Sequence, residues 1–514
     1  MILGILLCAL VICGANSSLT TDTDLFEIIF PSLNQANTED LAEGLKYIEF
    51  TSVDFINAYI ARIIDVDDVL NAVVEINPDA TLIASMLDDE RSVGMIRCPL
   101  HGIPILMKDV VCYVSKFQGP CSTSPFFISN APNSPSIRLL SFNISNGWPA
   151  RGGQIYGPYF SRQDPSGSSS GSAVAAILGL ATVCLGAETS GSTIAPAHYN
   201  KIVAMKPTVG LTSRHLVVPA SEHMDTIGPM KKSVKDAAYV LQSIVDVDPF
   251  DNYTFGIPYG AGLDFVSACD FSALKGARLG IPRNVISSMS NNSTGSMLEA
   301  FNKSLAILRS AGAIIIENTD FPSAQESRNN GLLTVQVVAA DSVVALKKYL
   351  SLLAYNSHNI TDLEGLRAWT QSSSLEDCPN KPTDIWDVVL ENRNNTDYKF
   401  WRAYQRALYR GKEGGLLGLI KRYKLDDVIL PSLFSSNWAA VVDAPITSVP
   451  MGAIPSDQPI VSAGPNIPFL GARFTDAKLI GLAYAFEQRT IKKKTVHPYI
   501  KPRTDLRDAV RIRY

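Results

Sequence analysis

The chain has 514 residues, of which 46% are hydrophobic and 18% are charged. This composition is typical of a globular protein with a large core, and it excludes a mainly disordered chain. The formal net charge of −4 offers no basic excess that would attract a phosphate backbone, so we expect no nucleic-acid partner.

The first residues predict a secretory signal peptide. An apolar run extends from Ile2 to Cys13, small residues follow at Gly14 and Ala15, and the chain turns polar at Asn16. The alternative is a membrane anchor, but about 12 apolar residues are too few for a span, which needs roughly 20. We therefore predict a signal peptide over residues 1–15, a mature domain over residues 16–514, a secreted or secretory-pathway location and no stable membrane insertion.

The cysteines that follow the signal peptide are too sparse to form the scaffold of so long a chain. Cys112 and Cys121 are close enough in sequence to bridge a loop, and two free buried thiols are the alternative. No spacing of cysteines or histidines predicts a metal site. We expect neither a metal nor a cofactor.

Asn-x-Ser/Thr triplets recur along the chain, and together with the leader they predict a glycoprotein of the eukaryotic secretory route. The acceptor residues are Asn16, Asn143, Asn252, Asn291, Asn292, Asn302, Asn359 and Asn394.

The first predicted elements lead to a lysine. From Thr51 to Ile64, apolar residues recur at three- and four-residue steps, which predicts an amphipathic helix. A short buried strand is predicted from Ile105 to Met107, and its end delivers Lys108 and Asp109. The chain from Val114 to Pro165 is rich in Pro, Ser, Asn and Gly, so we expect long surface loops there.

Two clusters of small polar residues come next. Five serines and two glycines lie between Ser166 and Ser172, directly before an apolar run that predicts a buried helix at residues 173–178. A strand at residues 182–185, a tight turn at residues 186–192 and a helix start near Pro196 follow. Each cluster thus lies in a turn at a helix N-terminus, where free N–H groups favour developing negative charge, as in an oxyanion hole.

Two other interpretations of the first cluster are weaker. A flexible Gly/Ser linker has nothing packed against it, whereas the buried helix that follows would fix this segment in place. The residues from Gly167 to Gly171 also match GxSxG, with Ser169 as nucleophile. That motif follows a strand, and the residues from Arg162 to Pro165 do not predict one.

After residue 210 short apolar strands alternate with helices. The predicted elements are strands at 277–281 and 313–316, a strand end at 426–431, and helices at 295–311 and 476–489. This alternation predicts an α/β fold, and no linker divides it, so we expect a single large domain around one sheet.

The serine clusters resemble the signature of the amidase signature family, in which GGSSGGS is followed by GTDTGGSIRxPA. The matching residues are 166–172 and 186–197, and further matches in family order are PLHGIPILMKD (99–109), MKPTVGLTSR (205–214), the segment 218–230, APITSVPMG (444–452) and AYAFEQ (483–488). The resemblance covers most of the mature chain. It implies the family fold, in which helices cover a mixed central β-sheet, and together with the leader it suggests a secreted fungal member.

The resemblance also implies a Ser–Ser–Lys triad. Ser192 would be the nucleophile, Ser168 the bridging serine after a cis peptide bond, and Lys108 the general base. The backbone amides of Thr189, Ser190, Gly191 and Ser192 would form the oxyanion hole. A lysine accepts a proton near neutral pH only if burial lowers its pKa from about 10.4, and Lys108 ends an apolar strand.

Several residues depart from the family pattern. Serines replace glycines at Ser166, Ser170 and Ser190, although serine tolerates positive φ less readily than glycine. Glu188 replaces the usual aspartate, and Ile194 replaces an arginine that would anchor the turn. These changes leave the three triad residues in place but suggest restricted or redirected activity.

The predicted function is a serine hydrolase that cleaves carboxamide C–N bonds through an acyl-enzyme. Its partner would be a small-molecule amide, with residues 322–417 shaping the pocket, and a homodimer is possible. His101 and His198 have no task in this mechanism. The alternatives are an esterase or acyl-transfer enzyme of secondary metabolism, an amidotransferase subunit, which conflicts with the leader, and a catalytically impaired binding protein on the same fold.

Overall fold

The computed structural model describes residues 30–111, 127–128, 146–258, 263–291, 294–331, 333–391, 395–451, 465–490 and 497–511. The chain divides into residues Met1–Phe30, of which only Phe30 is described, and Pro31–Tyr514, which contains all described helices and strands. The predicted signal peptide and the Cys112 and Cys121 alternatives lie outside the described residues.

The described strands form one sheet. They are β1 (Ile105–Met107), β2 (Phe127–Ile128), β3 (Val183–Glu188), β4 (Val203–Lys206), β5 (Thr226–Lys231), β6 (Arg278–Ile281), β7 (Ile314–Glu317), β8 (Asp427–Ile429), β9 (Ile446–Pro450) and β10 (Asn466–Leu470). Their order is β2-β1-β3-β5-β4-β9-β10-β8-β6-β7. Strand β1 pairs in parallel with β2 and β3, and β6 pairs in parallel with β7 and β8, whereas the strands from β3 through β5, β4, β9 and β10 to β8 pair antiparallel.

The described helices surround this sheet. They are α1 (Thr38–Lys46), α2 (Ser52–Ile64), α3 (Asp67–Leu70), α4 (Ala80–Ser92), α5 (Ser170–Leu178), α6 (Ile194–Asn200), α7 (Val234–Ile244), α8 (Arg283–Met289), α9 (Gly295–Ser310), α10 (Ala324–Asn329), α11 (Leu333–Ser351), α12 (Leu363–Ser372), α13 (Asp384–Glu391), α14 (Tyr398–Gly411), α15 (Leu416–Tyr423), α16 (Ser436–Ala440), α17 (Asp476–Thr490) and α18 (Leu506–Arg511).

The centre of the sheet is buried on both faces. Every residue of β1, β4, β5, β8 and β10 is buried. Because successive side chains of a strand point to opposite faces, continuous burial means that both faces are covered. The prediction of an α/β fold with one mixed sheet covered by helices is confirmed.

Most predicted elements lie where the sequence placed them. Helix α2 begins at Ser52 behind the capping box of Thr51 and Asp54, and α17 begins at the predicted Asp476. Two predictions were wrong in part: strand β2 lies inside the segment 114–165 that was predicted to form loops, and one turn begins later than predicted. The predicted turn at residues 186–192 begins only after Glu188, because Gly186, Ala187 and Glu188 pair with β5 and continue strand β3.

Helices α11, α12, α13 and α14 form what we call the helical region, residues 333–411. Most of it has a hydrophobic cluster of its own. The buried members are Ala339, Leu346, Tyr349, Leu350, Ile360, Leu363, Leu366, Trp386 and Val389. This region falls within the part of the chain that was predicted to shape the substrate pocket.

No helix in the described parts of the chain combines the length and the apolar character that crossing a membrane requires.

Candidate active site

Three segments of the chain meet at one edge of the sheet. Strands β1 and β3 are parallel neighbours, so their carboxyl ends lie side by side. Lys108 follows β1 directly, and the turn from Thr189 to Thr193 follows β3. The third segment precedes α5, and its Ser169 N–H donates to the Ser192 carbonyl at 2.9 Å. The fold thus brings together residues that are separated by up to 84 positions in the sequence.

Lys108 is partly buried and reaches the first serine cluster. Its Nζ lies 2.7 Å from Ser168 Oγ and donates to the Ala187 carbonyl at 3.0 Å. Its backbone N–H donates to the Leu185 carbonyl at 3.1 Å, which continues the β1–β3 pairing by one residue. Desolvation lowers the pKa of Lys108 to about 8, against the opposing charges of nearby carboxylates, of which Glu188 is the strongest.

The first serine cluster supplies an exposed hydroxyl at Ser168, which follows a cis peptide bond after Gly167. The next residue is buried, and its hydroxyl donates to the Ala187 carbonyl at 3.2 Å. Lys108 and Ser168 are therefore in direct contact, as predicted for a base and a bridging serine. Among the described residues, no hydrogen bond joins the hydroxyls of Ser168 and Ser192 in this structure.

Glu188 organises the turn that carries Ser192. Its buried carboxylate accepts hydrogen bonds from Gly191 N–H at 2.8 Å, Thr193 N–H at 2.8 Å and Ile194 N–H at 3.0 Å. The Thr193 hydroxyl also donates to this carboxylate, at 2.5 Å. Four donors on one carboxylate hold the turn in a single shape. The sequence suggested no such role for the glutamate.

This arrangement changes the predicted oxyanion hole. The Gly191 N–H already donates to Glu188, so it is not free for a substrate in this structure. The amides of Thr189, Ser190 and Ser192 have no acceptor within the described part of the chain. Gly191 has a φ of +91°, a backbone conformation that side-chain-bearing residues rarely adopt, and this explains why a glycine is retained at that position.

Two side chains of the turn are held from outside. Thr189 Oγ1 donates to Asp225 Oδ1 at 2.6 Å, and Ser190 Oγ donates to Asn437 Oδ1 at 2.6 Å. Asn437 belongs to α16, which the sequence did not connect with the site. A signal for Asp225 was present, since it lies in a segment that matches the family, but the sequence did not indicate which residue it would hold.

The glycine-to-serine changes have unequal consequences. Ser166 adopts a φ of +63°, in the left-handed region, and its N–H donates to Asp164 Oδ1 at 2.7 Å. Ser170 lies in α5, and its hydroxyl donates to the Ser166 carbonyl at 2.5 Å. Ser190 is outside the left-handed region. The backbone strain that serine was expected to cause is therefore confined to Ser166.

An aliphatic side chain replaces the family arginine. Ile194 is fully buried, and its N–H belongs to the set held by Glu188. Another basic residue that Glu188 influences is Lys206, whose buried Nζ donates to the Ala444 carbonyl at 2.9 Å. Desolvation lowers the pKa of Lys206, and the charge of Glu188 is the strongest influence that opposes this shift. The amine of Lys206 and the carboxylate of Glu188 are therefore electrostatically coupled.

The two histidines near the signature are structural. His101 is buried, and its Nε2 lies 3.0 Å from the Leu87 carbonyl. His198 is buried, and its Nδ1 contacts the Ser432 hydroxyl at 2.5 Å. Within the described ranges, no group of three or more His, Cys, Asp or Glu side chains is arranged to hold a metal ion.

Comparison with known proteins agrees with this geometry. The model of the family described as Amidase matches residues 54–132 and 142–435. This chain belongs to the amidase family. It is 42% identical over 530 residues to a protein of Arthroderma benhamiae named "Putative amidase", and the match covers 93% of this chain and 89% of the relative.

The amidase also resembles solved structures along nearly its whole length. The native peptide amidase from Stenotrophomonas maltophilia superposes with a TM-score of 0.80 at 29% identity, covering 91% of this chain and 99% of that one. An amidase family protein from Bacillus anthracis superposes with a TM-score of 0.77 at 25% identity, covering 91% and 93%. The predicted family and enzyme class are confirmed: the protein is a serine amidase, a hydrolase that acts on carbon–nitrogen bonds.

Proposed function

We propose that the protein is a secreted amidase that cleaves small carboxamides with a triad of Ser192, Ser168 and Lys108. The observation that carries this proposal is the contact of 2.7 Å between Lys108 Nζ and Ser168 Oγ, at a lysine whose pKa burial lowers to about 8. At pH 8 about half of these lysines are neutral, and a neutral amine can accept a proton.

In the first half of the reaction the Ser192 hydroxyl attacks the amide carbonyl carbon. Its proton passes to Ser168 Oγ while the Ser168 proton passes to neutral Lys108, so that one proton in total reaches the amine. The Ser168 and Ser192 hydroxyls must form a hydrogen bond for this transfer, and we expect substrate binding to bring them together. The tetrahedral oxyanion would be stabilised by the free amides of Thr189, Ser190 and Ser192.

In the second half the intermediate collapses and the C–N bond breaks. The proton held by Lys108 returns through Ser168 to the leaving nitrogen, which departs as ammonia or an amine. Water then attacks the acyl-enzyme by the same route and releases a carboxylic acid, which regenerates the Ser192 hydroxyl. Atoms and charges balance without a metal or a cofactor.

The substrate class that we propose is a small carboxamide, with peptide amides among the candidates. One support is the likeness to a peptide amidase, which extends over 99% of that chain. Another is the exposure of Ser168, which leaves the triad open to a ligand from solvent.

Secretion is supported by three features of the chain. The leader is one, and the second is Cys98, which is disulfide-bonded. Disulfides persist in oxidising compartments. The third is that the four described acceptor asparagines, Asn252, Asn291, Asn302 and Asn359, are all exposed. Secretion from a fungal host, with a mass that falls after treatment with an endoglycosidase, is the expected result. Retention of an unglycosylated protein inside the cell would contradict this part of the proposal.

The test of the triad is the variant Ser192→Ala. We expect amide hydrolysis to fall at least about 10⁴-fold and labelling by a fluorophosphonate probe to disappear, because both need the nucleophile. Ser436→Ala is the matched control, since Ser436 lies beside Gly191 but takes no part in the mechanism. Retained hydrolysis in Ser192→Ala would refute the assignment.

Further assays of the purified protein distinguish the remaining alternatives. Matched amide and ester substrates with a common acyl group distinguish an amidase from an esterase or acyl-transfer enzyme. If the fluorophosphonate probe does not label the wild-type protein but the protein still binds amides, it is the catalytically impaired binding protein. Light scattering of the purified protein tests for a homodimer.

A further inference from the structure

A second polar network lies directly behind the turn of Ser192. Asp225 connects the two: its Oδ1 accepts from Thr189 Oγ1 at 2.6 Å, and its Oδ2 accepts from the backbone N–H groups of Ala220 and Ser221 at 2.7 and 2.8 Å. The Asp225 N–H donates to the Ser221 carbonyl at 3.1 Å, which closes residues 221–225 into a tight turn. A shift of this turn therefore moves the carboxylate that holds Thr189.

Asp341 on helix α11 fixes the turn of residues 221–225 to that helix. This carboxylate is completely buried, and its Oδ2 accepts from Ser221 Oγ at 2.6 Å and contacts His223 Nδ1 at 2.8 Å. Asn395 Nδ2 donates to its other oxygen at 3.2 Å. We call Asp341, Ser221, His223 and Asn395 the Asp341 cluster. It attaches the helical region to the turn of Ser192 through continuous hydrogen bonds.

A buried carboxylate is stable only when it is paired and hydrogen-bonded. The imidazole of His223 is the pairing group, since Ser221 and Asn395 are neutral. Burial alone would lower the pKa of His223, but the hydrogen bond and charge of Asp341 outweigh it and raise the pKa above its usual value. The pairing with Asp341 therefore shifts the imidazole of His223 toward its protonated form.

The other groups that face His223 also favour this form. Glu222, in the same turn, and Asp443, just before β9, both raise the pKa of His223. From α14, the rings of Tyr404 and Phe400 lie 4.6 and 6.0 Å from the imidazole centroid. Lys348 and Arg473 pair with Glu222 and Asp443 at longer distances of 3.8 and 3.7 Å. A further cation, Arg214, donates from Nη1 to the Glu222 carbonyl at 2.6 Å, next to His223, and its guanidinium pairs with Asp251 at 2.7 Å.

We propose that Asp341 and His223 are positioning residues for the reaction: through Ser221 and Asp225 they hold Thr189 and the oxyanion turn in the geometry that stabilises the transition state. This inference rests on the proposed function, since it assumes that the Thr189 turn binds the oxyanion. Both residues act through Ser221 and Asp225 rather than on the reacting atoms. Their effect therefore falls on kcat, because an oxyanion hole is engaged fully only in the transition state.

The proposal has a defined pH dependence. His223 has a raised pKa in the folded protein, so its pairing with Asp341 is complete at low pH and is lost as pH rises through that pKa. Deprotonation of Lys108 acts in the opposite direction and raises the rate as pH passes about 8. As pH increases, the wild-type rate should therefore rise when Lys108 loses its proton and fall when His223 loses its proton. The falling limb of the pH–rate profile belongs to His223.

The experiment compares wild type with His223→Gln, which keeps a hydrogen-bonding group but removes the charge. We expect kcat at pH 6, below the ordinary pKa of histidine, to fall about tenfold, the scale of a small misplacement, while KM changes less than about twofold. The ratio of wild-type to variant kcat should shrink as pH rises, because wild-type His223 loses its own charge. Asp341→Asn should show the same loss of kcat and the same dependence of that loss on pH. If His223→Gln does not fold, Asp341→Asn alone tests the proposal. Adding Ser221→Ala to Asp341→Asn should lower kcat little further.

His101→Gln is the control, since His101 is also a hydrogen-bonded histidine, more deeply buried than His223, but lies outside the network. It should lower the melting temperature without a pH-dependent loss of kcat. The proposal is overturned if His223→Gln retains wild-type kcat, if its loss is the same at every pH, or if His101→Gln shows the same profile. Activity surviving in Ser192→Ala would instead refute the proposed function, so the two failures are distinguishable.

Discussion

The segments that form the active site and the helical region are held in place by different forces. In α5 and the Ser192 turn the residues are small, and their positions are set by hydrogen bonds to backbone groups and to Glu188. In the helical region, large side chains pack into a separate apolar cluster, and others remain exposed, such as Tyr398 at 77% and Trp401 at 45%. The site therefore tolerates few changes of polar groups, while the helical region depends on apolar volume.

Among the changes that compare the two regions, the largest effect should come from Lys108→Met. We expect kcat to fall by about 10³-fold or more, because Lys108 is the base that contacts Ser168 among the described residues, while stability at pH 6 rises by roughly 1–3 kcal/mol since a desolvated charge is removed. The lysine pKa is lower in the folded than in the unfolded protein, so this gain should be complete below pH 8 and disappear toward pH 10.5. Thermal unfolding at pH 6 and pH 10 checks both signs. A variant that is less stable at pH 6 would contradict the desolvation of Lys108.

The next effect should come from Glu188→Gln. The amide offers one acceptor to four donors and adds N–H groups of its own, so we expect a loss of about 2–3 kcal/mol and of about 100-fold in kcat. Removing this charge also disfavours the protonated lysine, so the pH at which the residual rate rises should fall below about 8. The pH–rate profile and thermal unfolding measure these effects. An unchanged midpoint of the pH–rate profile would contradict an influence of the Glu188 charge on the pKa of Lys108.

A matched pair of cavities compares the two regions directly. Leu185→Ala on β3 and Leu366→Ala on α12 remove the same side chain from sites that are 2% and 0% exposed, and each should cost about 2–5 kcal/mol. Because the Leu185 carbonyl holds Lys108 and Ser172, only Leu185→Ala should also lower kcat substantially. Denaturant unfolding and steady-state kinetics test this. Equal losses of kcat would mean that the site depends on the apolar cluster.

The smallest effect should come from Ser190→Gly, which restores the family residue. It removes the hydrogen bond to Asn437 but leaves the backbone amide, so we expect kcat to change less than about threefold, with any effect mainly on KM. If the Ser190 hydroxyl acts only through its hydrogen bond to Asn437, Asn437→Ala should give the same result. A large gain in kcat would show instead that the serine obstructs the oxyanion hole.

Local sequence predicted the elements of the site well because their signals are short. The apolar run that ends at Lys108 and the small-residue cluster before α5 each specify a strand or helix boundary within a few residues. The extent of β3 could not be predicted in the same way. Residues 186–188 contain glycine and suggest a turn, but pairing with β5 overrides that local preference.

What the sequence alone determined was the α/β class, the family, and the residue types available for amide hydrolysis, because these depend on motifs and periodic patterns along the chain. The tertiary structure decided which amides of the turn are free, that Glu188 occupies the N–H of Gly191, and that Asp341 lies against Ser221 and His223. The physical reason is that the Asp341 contacts join residues 118 and 120 positions apart. No local pattern encodes a hydrogen bond that forms only when separate layers of the fold pack together.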